Sequence, residues 1–349
     1  MSNVALIDAL RSLAAGNDLS SRDACAAVLE ILDGEAEEPA IAAFLTACRM
    51  KEETADELAG ATEAARARML PFEVDARLGP LLDTCGTGGD RSNSLNISTA
   101  AAIVVAACGV KVAKHGNRSS TGISGSAEVL TELGINIEAN NDILKRCLEN
   151  LGLAFFFAPR FHPGFKHASA IRKLLPFRTL FNLIGPLANP ARPNYQLLGA
   201  PDERRGELLA TTLSMLGATR RAAVVVGADG LDEVTLSGPT HVFWVVIETA
   251  EPATIERFQW TPSDFGLPLA PKDLLRVSGP AESAARLREL LSGIVGPDRD
   301  VVLANAAAAL FVADRVSNVA EGVDIAAKAI DSGETSRLLD RWRVLSHSG

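Results

Sequence analysis

From Asp83 to Leu130 the chain reads DTCGTGGDRSNSLNISTAAAIVVAACGVKVAKHGNRSSTGISGSAEVL, in which two polar, glycine-rich loops each lead into a helix. The first loop is Gly86-Thr87-Gly88-Gly89-Asp90, where missing side chains let backbone N–H groups close around an anion. Asn96-Ile97-Ser98-Thr99 then precedes the apolar run Ala100 to Ala107, so Ser98 or Thr99 is expected to cap a helix whose open N–H groups attract phosphate. A short strand, Lys111-Val112-Ala113, leads to the loop Lys114-His115-Gly116-Asn117-Arg118 and a second helix from about Ser126. The glycine run alone could be a flexible loop, but two such loops, each opening a helix, read as a phosphate site in two halves.

Charge supports the same reading. Between Gly86 and Ser126, Arg91, Lys111, Lys114 and Arg118 face Asp90 alone, in a chain of net charge −9. A basic, glycine-rich window in an acidic protein suits a small anionic ligand rather than a polyanion. The pI of about 5.2 argues against a nucleic-acid partner. No apolar run is long enough to span a bilayer, and the early charges Asp8, Arg11 and Asp18 interrupt any signal-peptide core, so a cytoplasmic protein is expected. Cys25, Cys48, Cys85, Cys108 and Cys147 are widely spaced and form no C-x-x-C pair, which indicates buried, reduced thiols.

Residues 1 to about 70 carry helical periodicity. Helices are expected after Leu19-Ser20-Ser21-Arg22-Asp23, from Glu38-Pro39, and over Glu53 to Met69. From about Leu81 short β-branched runs alternate with helices: Ala154 to Phe157, Ala222 to Val226, His241 to Ile247, and a final long helix near Val301 to Ala313. Such alternation predicts a largely parallel sheet covered on both faces, with ligands beyond the carboxyl ends of the strands. The two glycine-rich loops and Gly227-Ala228-Asp229-Gly230 fall there. Ala250 to Pro280 is irregular and suggests no chemistry.

Beyond the last of these loops, Asp232 and Glu233 are adjacent carboxylates, either hard oxygen ligands for Mg²⁺ or the acids of a solvated turn. Arg160 to Arg178 holds Arg160, Lys166, Arg172, Lys173 and Arg178 with no acid. Within it Arg172 is a candidate to pair with a substrate carboxylate, since guanidinium offers two parallel hydrogen bonds, or to form an exposed salt bridge. His115 is either a general base or a ring satisfied within its loop.

GTGGD (Gly86 to Asp90), NIST (Asn96 to Thr99), KHGNR (Lys114 to Arg118), GSAEVL (Gly125 to Leu130) and the helical segment Ile41 to Ala61 together resemble the anthranilate phosphoribosyltransferase family over nearly the whole chain. The resemblance implies a nucleoside phosphorylase/phosphoribosyltransferase-like fold: an α/β domain, residues 73–161 and 191–349, and a discontinuous helical subdomain, residues 1–72 completed by about 162–190. It implies phosphoribosyl transfer from phosphoribosyl pyrophosphate (PRPP) to anthranilate, and a homodimer formed through the helical subdomain.

By the same resemblance PRPP meets Gly86, Gly89, Asp90, Ser94, Asn96, Ile97, Ser98, Thr99, Lys114, His115, Gly116, Asn117, Arg118, Ser119 and Ser126. Anthranilate meets Gly86, Asn117 and Arg172, and magnesium meets Ser98, Asp232 and Glu233. The chain departs from the family at Arg91, where glycine is usual, in the loop Ser119 to Ser124, where Ile123 replaces a lysine, and at Gly164-Phe165 after His162-Pro163. Pyrimidine nucleoside phosphorylases and a non-catalytic nucleic-acid-binding group share the fold; Arg172 and the Asp232-Glu233 pair disfavour the former, Arg172 and the low pI the latter.

Overall fold

The computed structural model describes residues 4–90, 92–119, 122–217, 219–247 and 253–348. Its first four helices are α1 (Val4–Ala14), α2 (Ser21–Leu32), α3 (Glu38–Lys51) and α4 (Ala55–Ala67). Ser20 caps α2 by accepting the Asp23 N–H at 3.2 Å, as the Ser-x-x-Asp pattern predicts. Thr54 and Glu57 form a reciprocal capping box at the start of α4. A Cβ at Gly60 of α4 would run into the Ser21 carbonyl, so the glycine allows α2 and α4 to cross backbone against backbone.

Seven strands follow: β1 (Leu81–Asp83), β2 (Lys111–Gly116), β3 (Leu153–Phe157), β4 (Tyr195–Gly199), β5 (Arg221–Gly227), β6 (Thr240–Val246) and β7 (Thr254–Trp260). They form one sheet in the order β3-β2-β1-β4-β5-β6-β7. Pairing is parallel from β3 to β5 and antiparallel at β6 and β7, so the sheet is largely parallel as expected. Between and after the strands run α5 (Ile97–Ala107), α6 (Ser126–Glu132), α7 (Asn141–Leu151), α8 (Ala158–Phe161), α9 (Lys166–Leu174), α10 (Glu203–Leu216), α11 (Pro280–Leu291), α12 (Pro297–Val312), α13 (Val319–Asp331) and α14 (Glu334–Leu345).

Several local expectations change. The strand expected to stop at Ala113 continues through Gly116, because Lys114, His115 and Gly116 keep a ladder partner in Phe155, Phe156 and Phe157. Part of the second loop is therefore strand. The helix near Val301 is followed by α13 and α14 and is not the last. The irregular stretch from Ala250 contains β7, an edge strand exposed along most of its length, which carries too little apolar patterning to announce itself.

Alternate residues of β5 serve different cores, as a period of two requires. Ala223 and Val225 join α5 and α12 in one apolar cluster. Ala222, Val224 and Val226 join α10, the four N-terminal helices, and residues of the returning segment from Ala168 to Ala188 in the other. The N-terminal helices thus bury apolar residues against the chain's own sheet. At the opposite side of β1 from β4 lies β2, so the chain leaves β1 toward one edge and returns on the other. The loops after Asp83, Gly116, Gly199 and Gly227 meet at that switch point.

Candidate active site

A cavity of about 710 Å³ opens at the switch point. One wall is the glycine turn after β1. Gly88 and Gly89 have φ of +61° and +87°, values that L side chains rarely adopt, and the Thr87 N–H donates to Gly199 O at 3.0 Å. Asp90 Oδ1 accepts the Ser92 N–H at 3.0 Å, while its buried Oδ2 has no partner among the described residues.

The start of α5 differs from expectation. Neither Ser98 nor Thr99 is the cap; both lie in the first turn, and the N-cap residue Asn96 makes no side-chain cap. Asn96 Oδ1 instead accepts the hydroxyls of Ser124 and Ser283, at 2.7 and 2.8 Å. The Ser98 N–H donates to Glu233 Oε1 at 3.0 Å, so a carboxylate from the segment after β5 occupies the helix terminus, where the backbone dipole favours it.

Lys114 is buried on β2 and spends its ammonium on Thr84 O, Thr84 Oγ1 and Ser98 Oγ at 3.1, 3.2 and 3.3 Å. Behind it, buried Asp83 accepts the His115 N–H at 3.1 Å and an Asn189 Nδ2 hydrogen at 2.8 Å. Burial pushes the Asp83 carboxyl up to about 6, against the pull of Lys114. The same cause raises Glu233 to about 7, opposed by Lys114 and the Ser98 bonds. Asp232 is raised by burial first, then by the like charges of Asp90 and Glu233.

Asp232 and Glu233, both half-buried at the cavity wall, form a hard oxygen set with the Ser98 hydroxyl. Among the described residues no three acidic, imidazole or thiol groups close into a complete cage. Such a set fits Mg²⁺, which takes one or two carboxylates and completes its shell with water and substrate oxygens.

The opposite end of the cavity is aromatic and basic. Arg172, half-buried on α9, lies 6.0 Å from the Phe181 ring centroid and has no acidic partner among the described residues, so the salt-bridge alternative does not hold. Burial, then Arg178, lowers its pKa. Phe165 meets Phe181 edge to face at 5.2 Å. His162 lies 5.3 Å from His115.

His115 Nδ1 donates to Gly185 O at 2.9 Å, so its ring is tied to the returning segment rather than within its own loop. Its Nε2 has no partner among the described residues. Burial, then His162, drives the imidazole down to about 3, which makes it a poor base. The Cys85 thiol lines the same cavity and is driven upward by burial, so it is no nucleophile.

The structure brings all but one of the predicted residues to this cavity. Gly86, Asp90, Ser94, Asn96, Ile97, Ser98, Thr99, Lys114, His115, Gly116, Asn117, Arg118, Ser119, Ser126, Arg172, Asp232 and Glu233 line it. Gly89 does not; a Cβ there would fall on the guanidinium of Arg178. The Gly227–Gly230 turn closes on itself, with Gly230 N–H donating to Gly227 O at 2.8 Å, and only the residues beyond it reach the cavity.

Asp83, Asn189, Phe181 and Arg178 were not singled out by sequence. Arg178 had one signal, its place in the acid-free stretch. Of the family departures, Arg91, Ser120 and Thr121 lie outside the described residues. Ile123 is part of the lining, and so is Phe165. A Cβ on Gly164 would come within 2.8 Å of Leu32 O, which explains the small residue there.

Two family models match the chain: the glycosyl transferase family a/b domain over residues 78–336 and the helical bundle domain of the same family over residues 7–69. The anthranilate phosphoribosyltransferase of Thermomicrobium roseum is 46% identical over 341 residues, 97% of this chain and 96% of that protein. That of Symbiobacterium thermophilum is 45% identical over 339 residues, 97% of each. The solved anthranilate phosphoribosyltransferase of Thermus thermophilus superposes with a TM-score of 0.88 at 36% identity, covering 98% of this chain and all of that one. The enzyme from Saccharomyces cerevisiae in complex with PRPP and Mg gives 0.90 at 30% identity, covering 100% of this chain and 99% of that one.

Proposed function

We infer the reaction from one premise: this chain belongs to the anthranilate phosphoribosyltransferase family. It transfers the phosphoribosyl group of PRPP to the amino nitrogen of anthranilate, giving N-(5-phosphoribosyl)anthranilate and pyrophosphate in tryptophan biosynthesis. The observation that carries this reading is the two-ended cavity, with the glycine turn and the start of α5 at one end and acid-free Arg172 against an aromatic wall at the other.

The residue roles follow from that polarity. The N–H groups of the glycine turn, with Gly86, Asp90, Ser94, Asn96, Ile97, Ser98 and Thr99, hold PRPP from the β1 side. Lys114, His115, Gly116, Asn117, Arg118, Ser119 and Ser126 hold it from the β2 side, with Lys114 as a point charge toward its oxyanions. Arg172 takes the anthranilate carboxylate, and Asn117 and Gly86 border the ring. An aromatic amine is neutral at pH 7 and needs no strong base, which agrees with the low basicity of His115. Catalysis comes from positioning and from stabilising the departing pyrophosphate.

Asp232, Glu233 and Ser98 would hold Mg²⁺, which supplies positive charge to the leaving pyrophosphate when bound. Changing both Asp232 and Glu233 to Ala should abolish Mg²⁺-dependent turnover and leave the circular dichroism spectrum unchanged. Unaltered turnover at every Mg²⁺ concentration would exclude the pair. No helix among the described residues is long and apolar enough to cross a membrane, which is in keeping with a cytoplasmic enzyme. We further propose a homodimer through the helical subdomain, residues 1–72 with about 162–190. Met50 and Leu174, 81% and 78% exposed, offer apolar surface there.

Loss of anthranilate fluorescence on mixing enzyme, anthranilate, PRPP and Mg²⁺ tests the reaction. No loss with folded enzyme would reject it.

A further inference from the structure

Arg178 does not line the cavity, yet its guanidinium donates to two carbonyls of the glycine turn. It leaves the returning segment just after α9 and crosses behind the turn. One guanidinium nitrogen donates to Gly88 O and the other terminal nitrogen donates to Thr87 O at 2.6 Å. The planar fork of a guanidinium suits two neighbouring carbonyls as a single ammonium does not.

The consequence follows from peptide geometry. In a trans peptide the N–H points opposite to the C=O, and the described residues contain no cis bond. Holding the Thr87 and Gly88 carbonyls therefore turns the N–H groups of Gly88 and Gly89 away from the guanidinium, and of these two residues Gly88 lines the cavity. Neither N–H has an acceptor among the described residues. The left-handed backbone at both glycines completes the arrangement. Gly89 gains a second reason to lack a side chain, because a Cβ would occupy the place of the guanidinium.

We propose that Arg178 is a positioning residue for PRPP, fixing the polarity of the diphosphate cradle from behind by holding the Thr87 and Gly88 carbonyls, without touching the substrate. This rests on the reading that the glycine turn receives the diphosphate.

Calorimetric titration of the full-length enzyme with Mg²⁺-pyrophosphate and Mg²⁺-PRPP tests it, alongside steady-state kinetics. Arg178→Ala should weaken both ligands by about 10- to 100-fold, the loss expected from charge-assisted hydrogen bonds. The KM for anthranilate should stay within about twofold, because the acceptor end gains and loses no hydrogen bond. Added guanidinium ion should restore part of the lost affinity. Arg178→Lys keeps the charge and loses the fork, and should still bind about tenfold more weakly than wild type.

Wild-type affinity in Arg178→Lys would overturn the proposal, since charge alone would then suffice. So would an equal rise in the anthranilate KM, which would mark a general loosening. If wild type itself binds neither ligand, the assignment of this end to the diphosphate fails, and the proposal with it. Should Arg178→Ala not fold, the lysine variant, which fills the same space, decides.

Discussion

Arg172 and Glu233 illustrate how far single residues could be read in advance. The acid-free run around Arg172 was visible in sequence, but its lack of a partner was not, because partners are supplied by folding. Arg172→Ala should raise the KM for anthranilate by about one to two decades, as expected for losing roughly 1.5–3 kcal/mol of charged hydrogen bonding. The KM for PRPP should move much less; if only the latter rose, Arg172 would be a phosphate contact. Glu233 was readable as an acid after a strand, whereas its place at the terminus of α5 depends on a contact spanning 135 residues. Its pKa in the folded, metal-free enzyme, about 7, lies above the ordinary 4.5. Between those values the folded chain keeps a proton that the unfolded chain has released, so this group makes stability fall as pH rises through the window. Glu233→Gln removes the effect. Its melting temperature relative to wild type should therefore climb from about pH 4.5 to about pH 7 in metal-free buffer. A constant difference would show that Glu233 titrates normally. His115 acts in the opposite sense, being held neutral until about pH 3, and is common to both proteins, so it cancels in the comparison.

Among the elements, the strand–loop–helix repeat was legible because its glycines, small polar residues and apolar runs are local signals. The strands β1, β4 and β7 were not: β1 and β4 contain no β-branched residue, and β7 is exposed at an edge. The glycine turn shows what local pattern leaves out. Its conformation follows from sequence, but its supports, Gly199 on one side and Arg178 on the other, come from 90 or more residues away. Gly89→Val should weaken PRPP binding strongly while circular dichroism stays unchanged, since a β-branched residue resists positive φ and displaces the guanidinium. Wild-type affinity in the folded variant would mean that the turn does not cradle the diphosphate. At the neighbouring strand end, a Cβ on Gly199 would strike the Asp232 carbonyl, so Gly199→Ala should shift the acidic pair. A raised Mg²⁺ requirement, with the anthranilate KM unchanged, is the expected reading; an unchanged requirement would show that the loop relaxes freely.

On the scale of the whole molecule, the two matched family models divide the chain near residue 70, and the change in periodicity divides it at nearly the same place. The packing does not. One face of the sheet, α10 and the four N-terminal helices share a continuous apolar cluster, so neither part has sealed its own interior. A chain cut near residue 72 would bare both halves of that cluster to water at once. Calorimetry of the intact enzyme should accordingly record one endotherm, and two separated transitions would contradict the shared cluster. The segments that recur as modules of ancestry are then not modules of folding. A helical bundle transplanted from a relative would have to bring a matching α10 and sheet face with it, and chimaeras joined near residue 72 should be harder to make than the tidy sequence boundary suggests.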